Sequence, residues 1–142
     1  MIVATLLVIA LSAITGLHLL WATGRTWPAK NEAELVRLVV GDPKWSRMPP
    51  QGVTAAVAAA LGAVTATAGL LPSRFGSWLD GPVTLAGAAI GLVFLARGIA
   101  TYTAPWRRGR GLEPFATRDR LFYGPSAIAL GVGFLHLVST RI

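Results

Sequence analysis

Four long apolar runs, each almost free of charge, decide what this chain can become. They occupy residues 2–22, 53–71, 82–102 and 122–140. About 20 mostly apolar residues in a helix cross the ~30 Å hydrocarbon core of a bilayer, and a helix satisfies its backbone hydrogen bonds without water. The chain is 54% hydrophobic and only 13% charged, against roughly 25% charged in an ordinary soluble domain. We therefore expect an all-α protein: a four-helix transmembrane bundle forming a single transmembrane domain over residues 1–142. The second run, mainly Ala, Thr and Gly, is a weak span that packing must support. The first lacks the basic leader and Ala-x-Ala site of a cleaved signal peptide, so it reads as a span. There is no cysteine, which excludes disulfides, iron–sulfur clusters, thiolate zinc sites and cysteine nucleophiles.

The cations then orient the spans. Arg25, Lys30, Arg37, Lys44 and Arg47 lie between the first two, and Arg107, Arg108, Arg110, Arg118 and Arg120 between the last two. Only Arg74 and Arg141 fall on the other side. Ten against two is a strong positive-inside bias, which places both long loops in the cytoplasm and both termini outside. Topology and attraction to anionic membrane lipids account for the net charge of +7 without nucleic acid, since no basic-aromatic strand pattern occurs.

The first loop carries structure of its own. Asn31-Glu32-Ala33-Glu34 matches a helix start, Leu35, Leu38 and Val39 share a face, and Gly41-Asp42-Pro43 ends the run. This predicts a short amphipathic helix in the first cytoplasmic loop, either lying on the inner leaflet or folded under the bundle as a lid. Residues 72–77 form a short turn, which predicts that spans two and three are antiparallel neighbours. Small-residue seams predict a compact left-handed bundle: Gly87, Gly91 and Gly98 in span three; Ala58, Gly62 and Ala66 in span two; Ser126, Ala129, Gly133 and Thr140 in span four.

The informative residues are the polar groups at membrane depth. Arg97 lies inside the third run, where it either snorkels to the headgroups or meets an ion-pair partner or ligand. His18 lies at similar depth on span one, with Ser12 and Thr15 nearby on a polar-leaning face; it is either a packed, hydrogen-bonded histidine or a proton carrier. Trp21, Trp27 and Trp106 fall where interfacial anchors belong. Asp119 and Tyr123 are four apart and share a face if helical, while Pro125 suits the first turn of span four. His136 lies some 14 Å deeper than His18 at ~1.5 Å per residue, so the two cannot ligate one haem; we expect it to pack against the small-residue seam. Convergent zinc ligands are missing. We expect no cofactor and no metal.

Gly16-x-His18-x-x-Trp21, the internal Arg97, and Phe115-Ala116-x-x-Asp119-x-x-x-Tyr123-x-Pro125, in that order, resemble the bacterial domain-of-unknown-function family 3995. The likeness runs over nearly the whole chain, and the last motif is the most specific. It implies a small four-span protein of the bacterial plasma membrane with no assigned activity, and it points to His18, Trp21, Arg97, Asp119 and Tyr123. One departure stands out. Where the family often places an acidic residue four after the arginine, this chain has Thr101, so Arg97 must find Asp119, a loop carboxylate or a ligand anion.

All five residues belong to the cytoplasmic end. The leading expectation is a pocket there for a lipid or other amphiphile: Arg97 meets its polar group, His18 and Tyr123 donate hydrogen bonds, Trp21 packs on its apolar part, and Asp119 completes the site. The alternatives are a small membrane enzyme with His18 as general base and Asp119 as its partner, and a structural subunit, as a homo-oligomer or within a larger membrane complex, that uses the glycine seam and the loop helix.

Overall fold

The computed structural model describes residues 1–76 and 78–142. Among these, every regular element is helical: α1 (Ile2–Ala22), α2 (Glu32–Val39), α3 (Gln51–Leu70), α4 (Asp80–Ala100), α5 (Ala104–Gly109), α6 (Phe115–Arg118), a π-helical turn (Asp119–Tyr123) and α7 (Gly124–Ser139). α6, the π turn and α7 run on as one helix of 25 residues, which joins α1, α3 and α4 as the four helices long and apolar enough to cross a membrane. Only 17% of the apolar window in each of α1, α3 and α4 is buried inside the protein. Leu6, Ile9, Leu85, Leu92, Val93 and Ile99 are exposed. A surface this apolar and continuous is unsuited to water; hydrocarbon is the solvent it fits. The residue at the end of the expected turn, Ser77, lies outside the described residues.

The last helix starts earlier than the fourth apolar run suggested. Pro125 does not open it; the helix runs through the proline by widening one turn. Proline offers no N–H and its ring crowds the carbonyl four residues back. A π turn just ahead of it absorbs this misfit, with the Gly124 N–H donating to the carbonyl of Asp119, five residues back. Asp119 and Tyr123 are consequently both helical.

Two helix pairs dominate, α4 with α7 and α1 with α3, whereas α3 and α4 touch only lightly. Spans two and three are neighbours, as expected, but the close packing lies elsewhere, and glycine explains the choice. A methyl group on Gly131 would lie 2.8 Å from the Gly91 carbonyl, and one on Gly98 would lie 2.8 Å from the Gly124 carbonyl. Two glycine pairs, each set seven residues apart, thus zip α4 antiparallel onto α7. Small residues let backbones approach where dispersion and weak polar contacts act. The seam predicted in span three is real; that in span four is a face off. Ser126 and Ala129 are exposed, and Gly124, Ala127 and Gly131 are buried. In span two, Ala58 is buried but Ala66 is exposed, and nothing lies within 4 Å of a methyl placed on Gly62. The core sits where α7 meets α1, with Leu7, Leu11, Ala68, Leu71, Phe134 and Leu137 in one cluster.

α2 takes the folded-under position. The Asn31 side chain accepts from the Glu34 N–H at 2.9 Å, and Glu34 reaches back to accept from the Lys30 N–H at 2.9 Å. Its apolar residues Leu35, Val36 and Leu38 are buried, and it packs on α6. Gly41 closes it at φ +67°, where a methyl group would lie 2.1 Å from the Phe115 ring. Both the left-handed backbone and the ring demand glycine.

The opposite end has a clasp. Arg141, 2% exposed at its side chain, pairs with Asp80 at 2.6 Å. It also donates to the Thr84 hydroxyl at 2.9 Å, to the Leu71 carbonyl at 2.5 Å and to the Ser73 carbonyl. The C-terminus thereby holds the α3–α4 turn and the start of α4 together.

Candidate functional site

Arg97 lies in the last turn of α4 and is only partly exposed, so the structure gives it partners. Its Nη2 donates to Asp119 Oδ1 at 2.6 Å and its Nη1 to the Thr101 hydroxyl at 2.6 Å. Thr101 is fully buried. Thr101 supplies a neutral acceptor, and Asp119, on the neighbouring helix, supplies the charge. The Asp119 side chain is 3% exposed and that of Arg97 is 32%, so the carboxylate is the fixed member and the guanidinium has one side toward the surroundings. Asp119 Oδ2 accepts from Trp106 Nε1 at 2.8 Å. The guanidinium carbons of Arg97 and Arg110 lie 4.3 and 4.5 Å from the Trp106 ring centroid, within cation–π range.

Arg110 continues the network outward, donating to the Val40 carbonyl at 3.0 Å, at the end of α2. Tyr123 donates to the Leu38 carbonyl at 3.3 Å and its ring lies 5.8 Å from that of Phe115. The Arg37 guanidinium donates to the Glu113 carbonyl at 3.1 Å. Two basic loops are thus tied into one base through α2, and among the described residues no buried side-chain polar atom lacks a partner.

Beside this network opens a cleft of about 430 Å³, lined by Thr101, Trp106, Glu113 and Asp119 and by four arginines, Arg107, Arg108, Arg110 and Arg120. Arg107 and Arg108 are exposed, and among the described residues their side chains take no hydrogen bond or ion pair.

Of the five residues singled out from sequence, the structure brings Arg97 and Asp119 into contact and sets Tyr123 four residues on, facing α2. His18 and Trp21 belong to another place. His18 Nδ1 donates to the Ile14 carbonyl at 2.9 Å, which fixes the proton on that nitrogen, and its ring lies 4.9 Å from that of Trp21. Trp21 Nε1 donates to the Trp27 carbonyl at 2.8 Å and lines a separate recess of about 260 Å³ with Arg25, Glu32 and Gln51. No hydrogen bond joins His18 to Asp119. His136 is exposed on α7 and is not packed against the small-residue seam. Among the described residues no three His, Asp or Glu side chains gather as metal ligands.

Trp106 and Arg110 are what the sequence reading passed over. Trp106 was expected as an anchor, yet an indole N–H needs an acceptor when half-buried, and the run Trp106-Arg107-Arg108-Gly109-Arg110 sets that donor amid cations near the buried acid.

Four membrane-length helices with exposed apolar flanks, and polar networks gathered at the two ends of the bundle, define a multi-pass integral membrane protein. Residues 7–134 match the model of a family described as "Protein of unknown function (DUF3995)". The chain belongs to that family, and the matched stretch holds all five residues singled out from sequence. Neither a curated protein nor a solved structure matches the chain.

Proposed function

We propose that this protein holds the anionic head of an amphiphile, a membrane lipid in the first instance, in the arginine-lined cleft at its basic end. The observation that carries the reading is a division among the arginines. Arg97 is matched by Asp119, whereas Arg107 and Arg108, on the short α5 that closes α4, line the cleft uncommitted. Arg97 and Asp119 then act as positioning residues. They hold Trp106, and Trp106 sets the wall along which the free guanidiniums stand. Tyr123 fixes α2 beneath the last helix. The positive-inside rule puts this end in the cytoplasm and both termini outside the bacterial plasma membrane, where the inner leaflet presents anionic heads to it.

The test compares thermal midpoints in detergent with added phosphatidylglycerol or phosphatidylcholine, for wild type and for Arg107→Gln/Arg108→Gln. Ligand that binds only the folded state raises the midpoint with concentration. The expected result is a response to the anionic lipid alone, weakened in the variant. Equal responses to both lipids, or an unchanged response in the variant, would remove the reading.

A further inference from the structure

We infer that the head taken by this cleft is a phosphomonoester, the terminal phosphate of a lipid, in preference to the singly charged phosphodiester of ordinary bilayer lipids. The inference rests on the anion-cleft reading above and narrows it. Four guanidiniums line the cleft against two carboxylates, and neither carboxylate is free. The two oxygens of Asp119 accept from Arg97 and Trp106, and the two of Glu113 accept from the Thr117 N–H and hydroxyl. With Arg97 cancelling Asp119, only Glu113 offsets the four lining arginines, which leaves an excess of three positive charges.

A phosphodiester offers one charge and two terminal oxygens. A monoester phosphate carries about 1.5 to 2 charges at pH 7 and three acceptor oxygens. A guanidinium fork takes oxygens two at a time, so several arginines closing on one head are better served by the third oxygen. The four are not equivalent. Arg110 is anchored on the Val40 carbonyl, and Arg120 Nε donates to the Ala116 carbonyl at 3.3 Å. Arg107 and Arg108 are the pair that can close on a ligand. The lining is polar and suits the head; the chains would leave past Leu121 and Phe122, which follow Arg120 directly and are each 63% exposed. Tyr102 stands beside them, donating to the Arg120 carbonyl at 3.0 Å.

The test titrates dioleoyl phosphatidic acid, dioleoyl phosphatidylglycerol and glycerol 3-phosphate against the full chain in detergent at pH 7.5, read by thermal midpoint. Phosphatidic acid is expected to reach its half-maximal effect at about tenfold lower concentration than phosphatidylglycerol, since one more charge-assisted contact is made. Arg107→Gln/Arg108→Gln should abolish that ratio. Arg107→Lys/Arg108→Lys, which keeps the charge and loses the fork, should reduce it. Arg118→Gln, which removes a neighbouring cation outside the cleft, should leave it. Equal potency of the two lipids, with both weakened by the Gln pair, overturns the monoester inference and leaves the anion cleft standing. A response untouched by the Gln pair, or weakened as much by Arg118→Gln, overturns both. Glycerol 3-phosphate acting at the same concentration as phosphatidic acid retains the phosphomonoester and overturns its lipid origin.

Discussion

Removing either member of the Arg97–Asp119 pair should destabilise the protein, but unequally, and the inequality follows from burial. Arg97→Met leaves a carboxylate that is 3% exposed with the Trp106 N–H at 2.8 Å as its one remaining side-chain donor. Stripping the partner from a buried charge costs about 3–5 kcal/mol. Asp119→Leu instead leaves a guanidinium that is 32% exposed, one turn from the end of α4, whose stem can carry the charge toward the headgroups. It also leaves Trp106 Nε1 without an acceptor, at about 1–3 kcal/mol for an unsatisfied buried donor. We expect roughly 3–4 kcal/mol for Arg97→Met and about 2 kcal/mol for Asp119→Leu. Because the double variant buries neither charge, it should cost less than the sum by about 2 kcal/mol, within the range measured for directly contacting residues. Reversible unfolding by sodium dodecyl sulfate in mixed micelles, followed by tryptophan fluorescence, reads all three. Should Arg97→Met cost under about 1 kcal/mol, or the two losses simply add, the pair is a surface contact and the network built on it has no structural weight.

Four further outcomes are expected. Arg141→Ala should lower stability, because two turn carbonyls and Asp80 lose their charged donor, while the response to anionic lipid at the other end stays intact; the same unfolding assay and lipid titration check both parts. Gly131→Val should cost about 1–3 kcal/mol by overpacking at the 2.8 Å approach to the Gly91 carbonyl, whereas Gly62→Val, with open space around it, should be near neutral. Gly41→Ala should release α2 from Phe115, seen as faster amide exchange over Glu32–Val39 with the spans unchanged. Since the chain has no cysteine, Ser46→Cys and Gly109→Cys should each be shielded in intact cells from a membrane-impermeant maleimide, and Ser73→Cys should react; the reverse pattern inverts the topology.

The long-range architecture was legible because it depends on sums. Twenty apolar residues in a row specify a span whatever their order, and cation counts orient it. Which helix pairs with which depends on single faces, and there the sequence misled in an instructive way. A short turn makes spans two and three neighbours without saying how closely they pack: α3 buries Ala58 and Ala68, while α4 buries Gly87, Gly91 and Gly98. The glycine face needs an equally bare surface, and α7 supplies one at Gly124 and Gly131. That face was obscured because the same helix carries a second row of small residues, Ser126, Ala129, Gly133 and Thr140, and a count of small residues does not say which of two such faces is buried.

The π turn bears on the site. Asp119 could be paired with Arg97 from sequence only as one option among three, because its distance from span four was unknown. The π turn makes Asp119 part of the last helix, and the close glycine approach of α4 to α7 puts Thr101 against Gly124, where a methyl on the glycine would lie 2.9 Å from the Thr101 methyl. An acid at position 101 would face Asp119 across that narrow gap, and like charges so close destabilise each other. With threonine there, Asp119 alone carries the negative charge, Arg97 bridges the two positions, and the second carboxylate oxygen is left for Trp106. Depth along the membrane normal, the quantity sequence reports best, grouped His18 and Trp21 with these residues; the side of the bundle, which it reports poorly, separates them. Thr101→Asp is then the sharpest check on this geometry. It should weaken the Trp106 contact and lower stability in this chain, whereas Thr101→Val, which removes a hydroxyl hydrogen-bonded to the Arg97 guanidinium and adds no charge, should cost about 1.5–3 kcal/mol. A Thr101→Asp protein at least as stable as wild type would show that the second acid is accommodated, and that Asp119 does not hold its place by charge balance alone.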